Sequence, residues 1–545
     1  MGAEGVRLIK IHKRMRLSQL ISQAKGQENR MENLLSNVAK VNDVVNSFAW
    51  GWFALILLMG TGLICTIITK CFQVSHFKHW WGKTIGSVFQ KDTHKKLGKQ
   101  SGSVSQFQAL CTALAATIGT GNIAGVAAAI CIGGPGAVFW MWVAAFFGMM
   151  TNFSENILGI YFRRKNKEGE WSGGAMYYLQ DGLGSYRGCK QIGKVLAIIF
   201  SAFAVLASFG IGNMGQINKI TINIKSAFFS KVDAPTLGGV SIVNWSIGAV
   251  LMLVGGFIIM GGLQRIASFA EKIVPFMAVI YVIGALIIFI SHINEVGAMF
   301  ASIFKFAFVP RAVAGGVSGS VIRKILDGPV KNGCKRGVFS NEAGLGSSVM
   351  IHSNSNVKEP VKQGLWGIFE VFADTIVICT MTAVVVLSSG AIDLDTGLVV
   401  EGTNDATLVA TAFGNIFGKP GEWFIAIAVL LFAFTTVMGW SHYGSKAVEY
   451  LFGVKGSKIY KVIFVVMMIS GAIMTSSLAW DISDTFNGLM MIPNLIGVLS
   501  LTPLVVKITK NYVERKMKGK DIEPILSYNP EIQKEYALLV KQGEE

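Results

Sequence analysis

Apolar residues run through this chain in long, nearly charge-free windows, and polar residues gather between them. A helix needs about 20 apolar residues to cross the hydrocarbon of a bilayer. Eleven windows meet that length: 44–69, 104–131, 135–162, 195–218, 240–263, 273–291, 296–322, 363–390, 423–445, 462–480 and 486–506. The seventh carries Lys305 and Arg311, and the eighth Glu370 and Asp374. The run 101–154 holds no charge and is too long for one helix. It is split at Gly133, Gly134, Pro135 and Gly136, because Pro and Gly are strong breakers of a helical pattern. The pattern predicts an all-α polytopic membrane protein of about 11 transmembrane helices.

Within the second window stands ATIGTGNIAG, residues 116–125, with three glycines, two threonines and an asparagine where an unbroken helix would run. Small residues there can let helices pack closely. They can also mark a helix unwound near the bilayer midplane, which is tolerated only where the backbone is buried in protein or lines a cavity. An unwound stretch offers N–H groups to an anion and carbonyls to a cation, so it can hold both ends of an amino acid. If the first window is set aside, ten remain, or five plus five. The first of the second five contains FVPRAVAGGVSGSVI, residues 308–322, the other glycine-broken span. Two matching breaks are expected of inverted repeats, which favours a transporter.

Composition agrees with the pattern: 52% hydrophobic residues, 15% charged and a mean hydropathy of +0.51 exclude an ordinary soluble enzyme. The net charge of +17 lies in segments flanking the spans, which points away from nucleic acid and toward the positive-inside rule. Segments 70–99, 163–194, 323–362, 446–461 and 507–520 are basic, and they alternate with neutral or acidic ones. A cytoplasmic C-terminus and an external N-terminus are expected, although residues 1–43 carry eight Lys or Arg and read as a basic amphipathic segment. They do not read as a signal peptide. Seven scattered cysteines imply neither a disulfide nor a metal framework. The spacing Gly119, Gly121, Gly125 does not fit a dinucleotide fingerprint, and no H-E-x-x-H occurs.

GGPGAVFWMWVAAFFG at 133–148 resembles the signature of the alanine/glycine:cation symporter family, also called the sodium:alanine symporters. ATIGTGNIAG, GGAMYYL at 173–179, GNMGQ at 212–216, FSNEAGLGSS at 339–348 and GWSHYGSKAVEYLFG at 439–453 are similar to it in the same order. The resemblance covers roughly 44–510. It implies a LeuT-type fold of two inverted five-helix repeats, 104–294 and 296–506, preceded by an extra helix at 44–70 and followed by a cytoplasmic tail at 507–545.

The resemblance also implies cation-coupled uptake of alanine or glycine, with Na+ as coupling ion and H+ the alternative, and with no other cofactor. The substrate carboxylate would meet N–H groups of Gly119 and Gly121, and its ammonium the Thr117 carbonyl and the Gln216 side chain. Val317, Ser320 and Trp440 would enclose its side chain, and Val317 stands where family members often carry Phe. The cation would take carbonyls of Ala115 and Ile118 and hydroxyls of Thr435 and Thr436. The partners expected are the amino acid, the coupling ion and lipid, with no nucleic acid and no obligate protein partner.

Several features stay open on the sequence. Paired threonines often bond their own helix backbone, and amides such as Gln216, Asn213 and Asn218 can simply join helices. Glu370 and Asp374, four residues apart, are functional candidates or partners of Lys362 near the basic inner segment; Glu155 is equally ambiguous. NEAGLGSS at 341–348 reads as a tight turn against an inner gate. A channel or an intramembrane enzyme fits less well, since no repeated filter-like string and no metalloprotease motif is present.

Overall fold

The computed structural model describes residues 36–88, 103–309, 326–400, 408–474 and 478–542. Among the described residues seven helices are long and apolar enough to span a membrane, or up to nine when each of two bent pairs counts as one span. They are α1 (Ser36–Ile68), the bent pair α2 (Gln106–Thr117) and α3 (Gly121–Gly133), α4 (Gly136–Phe162), α5 (Lys190–Phe228), α6 (Ile242–Ile259) and α7 (Gly262–Ser291). After the shorter α8 (Val296–Phe308) and α9 (Lys331–Asn341) come α10 (Pro360–Leu387), the short α11 (Leu408–Phe417) and α12 (Lys419–Ile473). The bent pair α13 (Leu478–Ser500) and α14 (Thr502–Lys516) and the tail helix α15 (Pro530–Lys541) complete the order.

Eleven separate spans are not counted among the described residues, and the reasons are local. Two expected spans fall in α12, which breaks only at Gly453 (φ 74°, ψ −177°). The seventh is described as far as Phe308 and Val309, and its glycine-rich part lies outside the described residues. The extra helix starts earlier than expected, at Ser36, and residues 1–35 lie outside the described part.

Residues 331–341 differ from the reading as part of a basic connecting segment. They form α9, whose Gly333 and Gly337 lie so close to α4 that a Cβ on Gly333 would sit 2.4 Å from the Ala137 carbonyl and one on Gly337 3.3 Å from Met141 Cα. Lys335 is accommodated by an ion pair with Asp484 (2.9 Å) and by the ring of Trp50. On another face of α4, Gly364 and Gly367 bring α10 equally near, with Phe153 and the Asn152 carbonyl as neighbours. Small residues thus let both α9 and α10 pack closely on α4.

The tail folds back. Arg515 of α14 reaches both oxygens of Glu359 at 2.9 Å, just before α10. In α15, Tyr536 packs with Leu526 against Trp171, and its hydroxyl accepts from buried Arg163, which also donates to the carbonyls of Ser353 (3.1 Å), Ser355 and Val357. Trp171 belongs to a two-stranded ribbon, Trp171–Ser172 against Arg164–Lys165.

Candidate functional site

Helix α2 begins with a reciprocal cap in which the Ser105 hydroxyl accepts from Gln108 N–H (3.1 Å) and Gln108 Oε1 from Ser105 N–H (3.0 Å). It ends at Thr117, because Ile118 leaves helical geometry (φ −75°, ψ 87°). The chain winds again from Gly121, first as a wide π-type turn to Gly125, and the two halves meet at 55°. ATIGTGNIAG is therefore a real break, and nearly all of it is buried.

Two residues of the sequence fasten this break. The Gly119 N–H donates to Asn122 Oδ1 (2.9 Å), and Asn122 Nδ2 donates to Asp374 Oδ1 (2.6 Å). The other Asp374 oxygen accepts from the hydroxyls of Ser340 and Thr375, each at 2.8 Å. A fully buried carboxylate with three donors, from α3, α9 and α10, compensates its lost hydration through hydrogen bonds. Asp374 so ties the unwound stretch to two other helices.

Across the break lies α12. The Thr436 hydroxyl stands 3.5 Å from the Ile118 carbonyl and 3.0 Å from that of Phe432. Thr435 also donates to Phe432 O (2.9 Å) and faces Met277 of α7 at 3.8 Å. The approach is tight: a Cβ on Gly439 would come within 2.5 Å of Ala116 Cβ, and one on Gly119 within 2.5 Å of Thr436 Oγ1. From α5, Gln216 Oε1 accepts from Thr120 (3.0 Å) while its Nε2 donates to Ile211 O (3.2 Å). One turn earlier, Gly212 leaves room for Trp440, whose Cβ would lie 2.4 Å from an added Cβ. The α5 backbone is itself widened at Gly210–Met214 beside this contact.

The structure thus gathers Ile118, Gly119, Gln216, Thr436 and Trp440 around one break. Ala115 and Thr117 are buried in the last turn of α2, and Gly121 faces Phe339 of α9. Thr435 sits beside Thr436 but turns toward α7. Val317 and Ser320 lie outside the described residues. The Gly119 N–H, expected to be open to a carboxylate, is engaged by Asn122, an acceptor three residues on within the same motif.

Sequence reasoning did not place Asn122, and it kept Asp374 out of the core site. The signal available for Asp374 was a carboxylate four residues from Glu370 inside an otherwise apolar span. Neither is exposed, and each has a partner other than Lys362. Glu370 Oε2 accepts from Asn152 (2.9 Å) and lies 3.0 Å from His352 Nε2, and all three side chains are buried. Glu155 is buried as well, accepting from Asn494 and from Gly344 N–H (3.4 Å). NEAGLGSS is a buried turn with Glu342, Gly344 and Gly346 at positive φ, closed by Ser347 donating to Glu342 (2.6 Å).

Comparison with known proteins places this geometry in context. A family model described as the sodium:alanine symporter family matches residues 35–525. The sodium/alanine symporter AgcS of Methanococcus maripaludis is 41% identical over 485 residues, covering 89% of this chain and 99% of that protein. The probable sodium/glutamine symporter GlnT of Bacillus subtilis is 33% identical over 495 residues, covering 90% and 93%. Among solved structures, that of MhsT in complex with L-phenylalanine aligns with a TM-score of 0.48 at 13% identity, covering 75% of this chain and 99% of that one.

Proposed function

The chain belongs to the sodium:alanine symporter family, a family of membrane transporters and not of enzymes, and from that premise we propose that it carries alanine or glycine into the cell together with Na+. The observation that carries the proposal is the meeting of Thr436 with the Ile118 carbonyl at the break between α2 and α3. A hard cation takes oxygen ligands, and there a freed carbonyl and a hydroxyl from distant parts of the chain converge. The carbonyl of Ala115 and the neighbouring Thr435 hydroxyl complete the proposed oxygen set.

The amino acid lies on the other side of the same break. Its carboxylate takes the N–H groups of Gly119 and Gly121, displacing from the first of them Asn122 Oδ1, which marks where an acceptor sits. Its ammonium takes the Thr117 carbonyl and Gln216. Trp440, with Val317 and Ser320, bounds the side chain. The names of the relatives support a neutral amino acid, alanine for AgcS and glutamine for GlnT. In this reading the fold is LeuT-type, with repeats at 104–294 and 296–506 that alternate access to the site. The basic segments face the cytoplasm, with the C-terminus inside and the N-terminus outside.

Valine has the shape of threonine without the oxygen, so Thr435→Val with Thr436→Val should weaken Na+ activation of alanine uptake by about tenfold, as expected for lost ligands to a charged group. By reciprocity of coupling, alanine affinity measured at one fixed Na+ concentration must fall as well. Uptake into proteoliposomes under separate Na+ and H+ gradients reads both effects. Unchanged Na+ activation in the double variant would dismiss the site, and accumulation driven by H+ alone would replace Na+ as the coupling ion.

A further inference from the structure

Below the candidate site, on the side where the basic segments gather, a cavity of about 250 Å³ opens between α12, the α6–α7 turn and the ribbon after α4. Its mouth carries the exposed ion pair Lys458–Glu168 (2.7 Å). Its floor differs in kind, because Asn354, His442, Ser445, Lys446 and Ser457 are all buried polar residues that line it. His442 and Lys446 stand two and six residues past Trp440 on the same helix. At the helical rise, Lys446 is only about 9 Å further along the axis than Trp440.

The charges of the floor are arranged as a pair. Lys446 Nζ lies 3.0 Å from Glu449 Oε2 and donates to Ser172 Oγ at 3.3 Å. Glu449 also accepts from Asn166 (3.2 Å) and from Ser172 on its other oxygen. An ammonium has three donors, and a carboxylate pair has about four lone-pair positions. Among the described residues Lys446 therefore uses two donors and Glu449 three acceptor positions, which leaves one of each at a cavity that both line. Lys461 and Glu170 line the same cavity, so a simple anion or cation would find a like charge beside whichever partner it met. A zwitterion finds both.

We propose that this cavity is a second amino-acid site, in which a zwitterion passing between Trp440 and the cytoplasm lays its carboxylate on Lys446 and its ammonium on Glu449. The proposal rests on the transport reading given above. The floor pair is a place where the substrate keeps both charges satisfied after leaving the break, so release proceeds in two steps. The hydrogen bond between Asn354 and His442 (3.3 Å) joins the loop after α9 to α12 at this floor, where the first step must pass.

The test uses the full chain in right-side-out and inside-out vesicles, with a panel of small labelled amino acids and KM measured at each face. For Lys446→Gln and for Glu449→Gln, the cytoplasmic-face KM should rise about tenfold, the loss expected of one charge-assisted hydrogen bond. The external-face KM should stay at the parent value, and Lys446→Arg should recover most of the cytoplasmic affinity. If the pair only staples the ribbon to α12, both faces will change together, or only maximal rate and thermal stability will fall, and the inference is overturned. Parent protein that transports with cytoplasmic KM unmoved in both variants removes the inference alone. Parent protein with no saturable amino-acid transport at either face removes the proposed function and the second site with it.

Discussion

Gly119→Ala should abolish Na+-dependent alanine binding while the protein still folds and inserts. The added Cβ would lie 2.5 Å from Thr436 Oγ1, closer than real Cβ contacts come, while Thr436 Cβ at 3.4 Å stays in ordinary contact. Gly119 is not among the glycines at positive φ, so the clash, and not a forbidden backbone conformation, drives the effect. The Thr436 hydroxyl must therefore leave the Ile118 carbonyl, or the unwound stretch must shift off Asn122. Either movement disturbs the proposed cation and carboxylate positions together, and a loss of at least about 100-fold in affinity is expected, near 3 kcal/mol. Gly121→Ala is the internal comparison, because its Cβ would meet Phe339 at 3.3 Å and Ser340 Cα only at 3.7 Å, so a much smaller loss follows. Gly60→Ala, with nothing within 4 Å of the new methyl, should be silent. Labelled alanine binding and thermal stability of the three purified variants decide the matter. If Gly119→Ala binds alanine with parental affinity, the break between α2 and α3 is not the site.

What could be read from the chain and what could not divide along physical lines. The break at 117–121 was legible because Gly, Thr and Asn cluster in an apolar span and a second glycine-broken span stands at the matching place of the other five. The turn at Gly133–Gly136 was equally plain from its own breakers. Helix α9 was not, since Lys331, Lys335 and Arg336 made it look like an exposed basic segment. Its buried face is written in the spacing of Gly333 and Gly337, which signals close approach but not to which helix. Likewise Asn122 and Asp374 are 252 residues apart, and nothing local to either names the other. The same holds for Thr436 and Ile118, joined only through the resemblance to a known family. A single sequence reveals where backbone is exceptional. It does not reveal which side chains compensate that exception from elsewhere.

The largest change in specificity is expected from Trp440→Ala. The indole is almost fully buried, meets Tyr443 edge to face at 5.3 Å, and lies against Gly212, one turn from the Gln216 that holds Thr120. It therefore stands against the α5 wall of the candidate site, two residues before His442, which lines the inner cavity. Truncating so large a buried ring should cost about 3–5 kcal/mol of stability, the usual penalty for the void left behind. Where that void adjoins the substrate it also becomes room. Valine and leucine should gain against alanine by about 1–3 kcal/mol, the range by which hydrophobic pockets discriminate a methylene or more. Gly212→Ala tests the same contact from the other side: its new methyl would lie 2.4 Å from Trp440 Cβ, driving the ring toward the site and favouring glycine over alanine. Competition by glycine, alanine, valine and leucine against labelled alanine, in parent and both variants, separates the two directions. If every competitor weakens equally in Trp440→Ala, and Gly212→Ala leaves the order of substrates unchanged, Trp440 packs helices and does not bound the substrate.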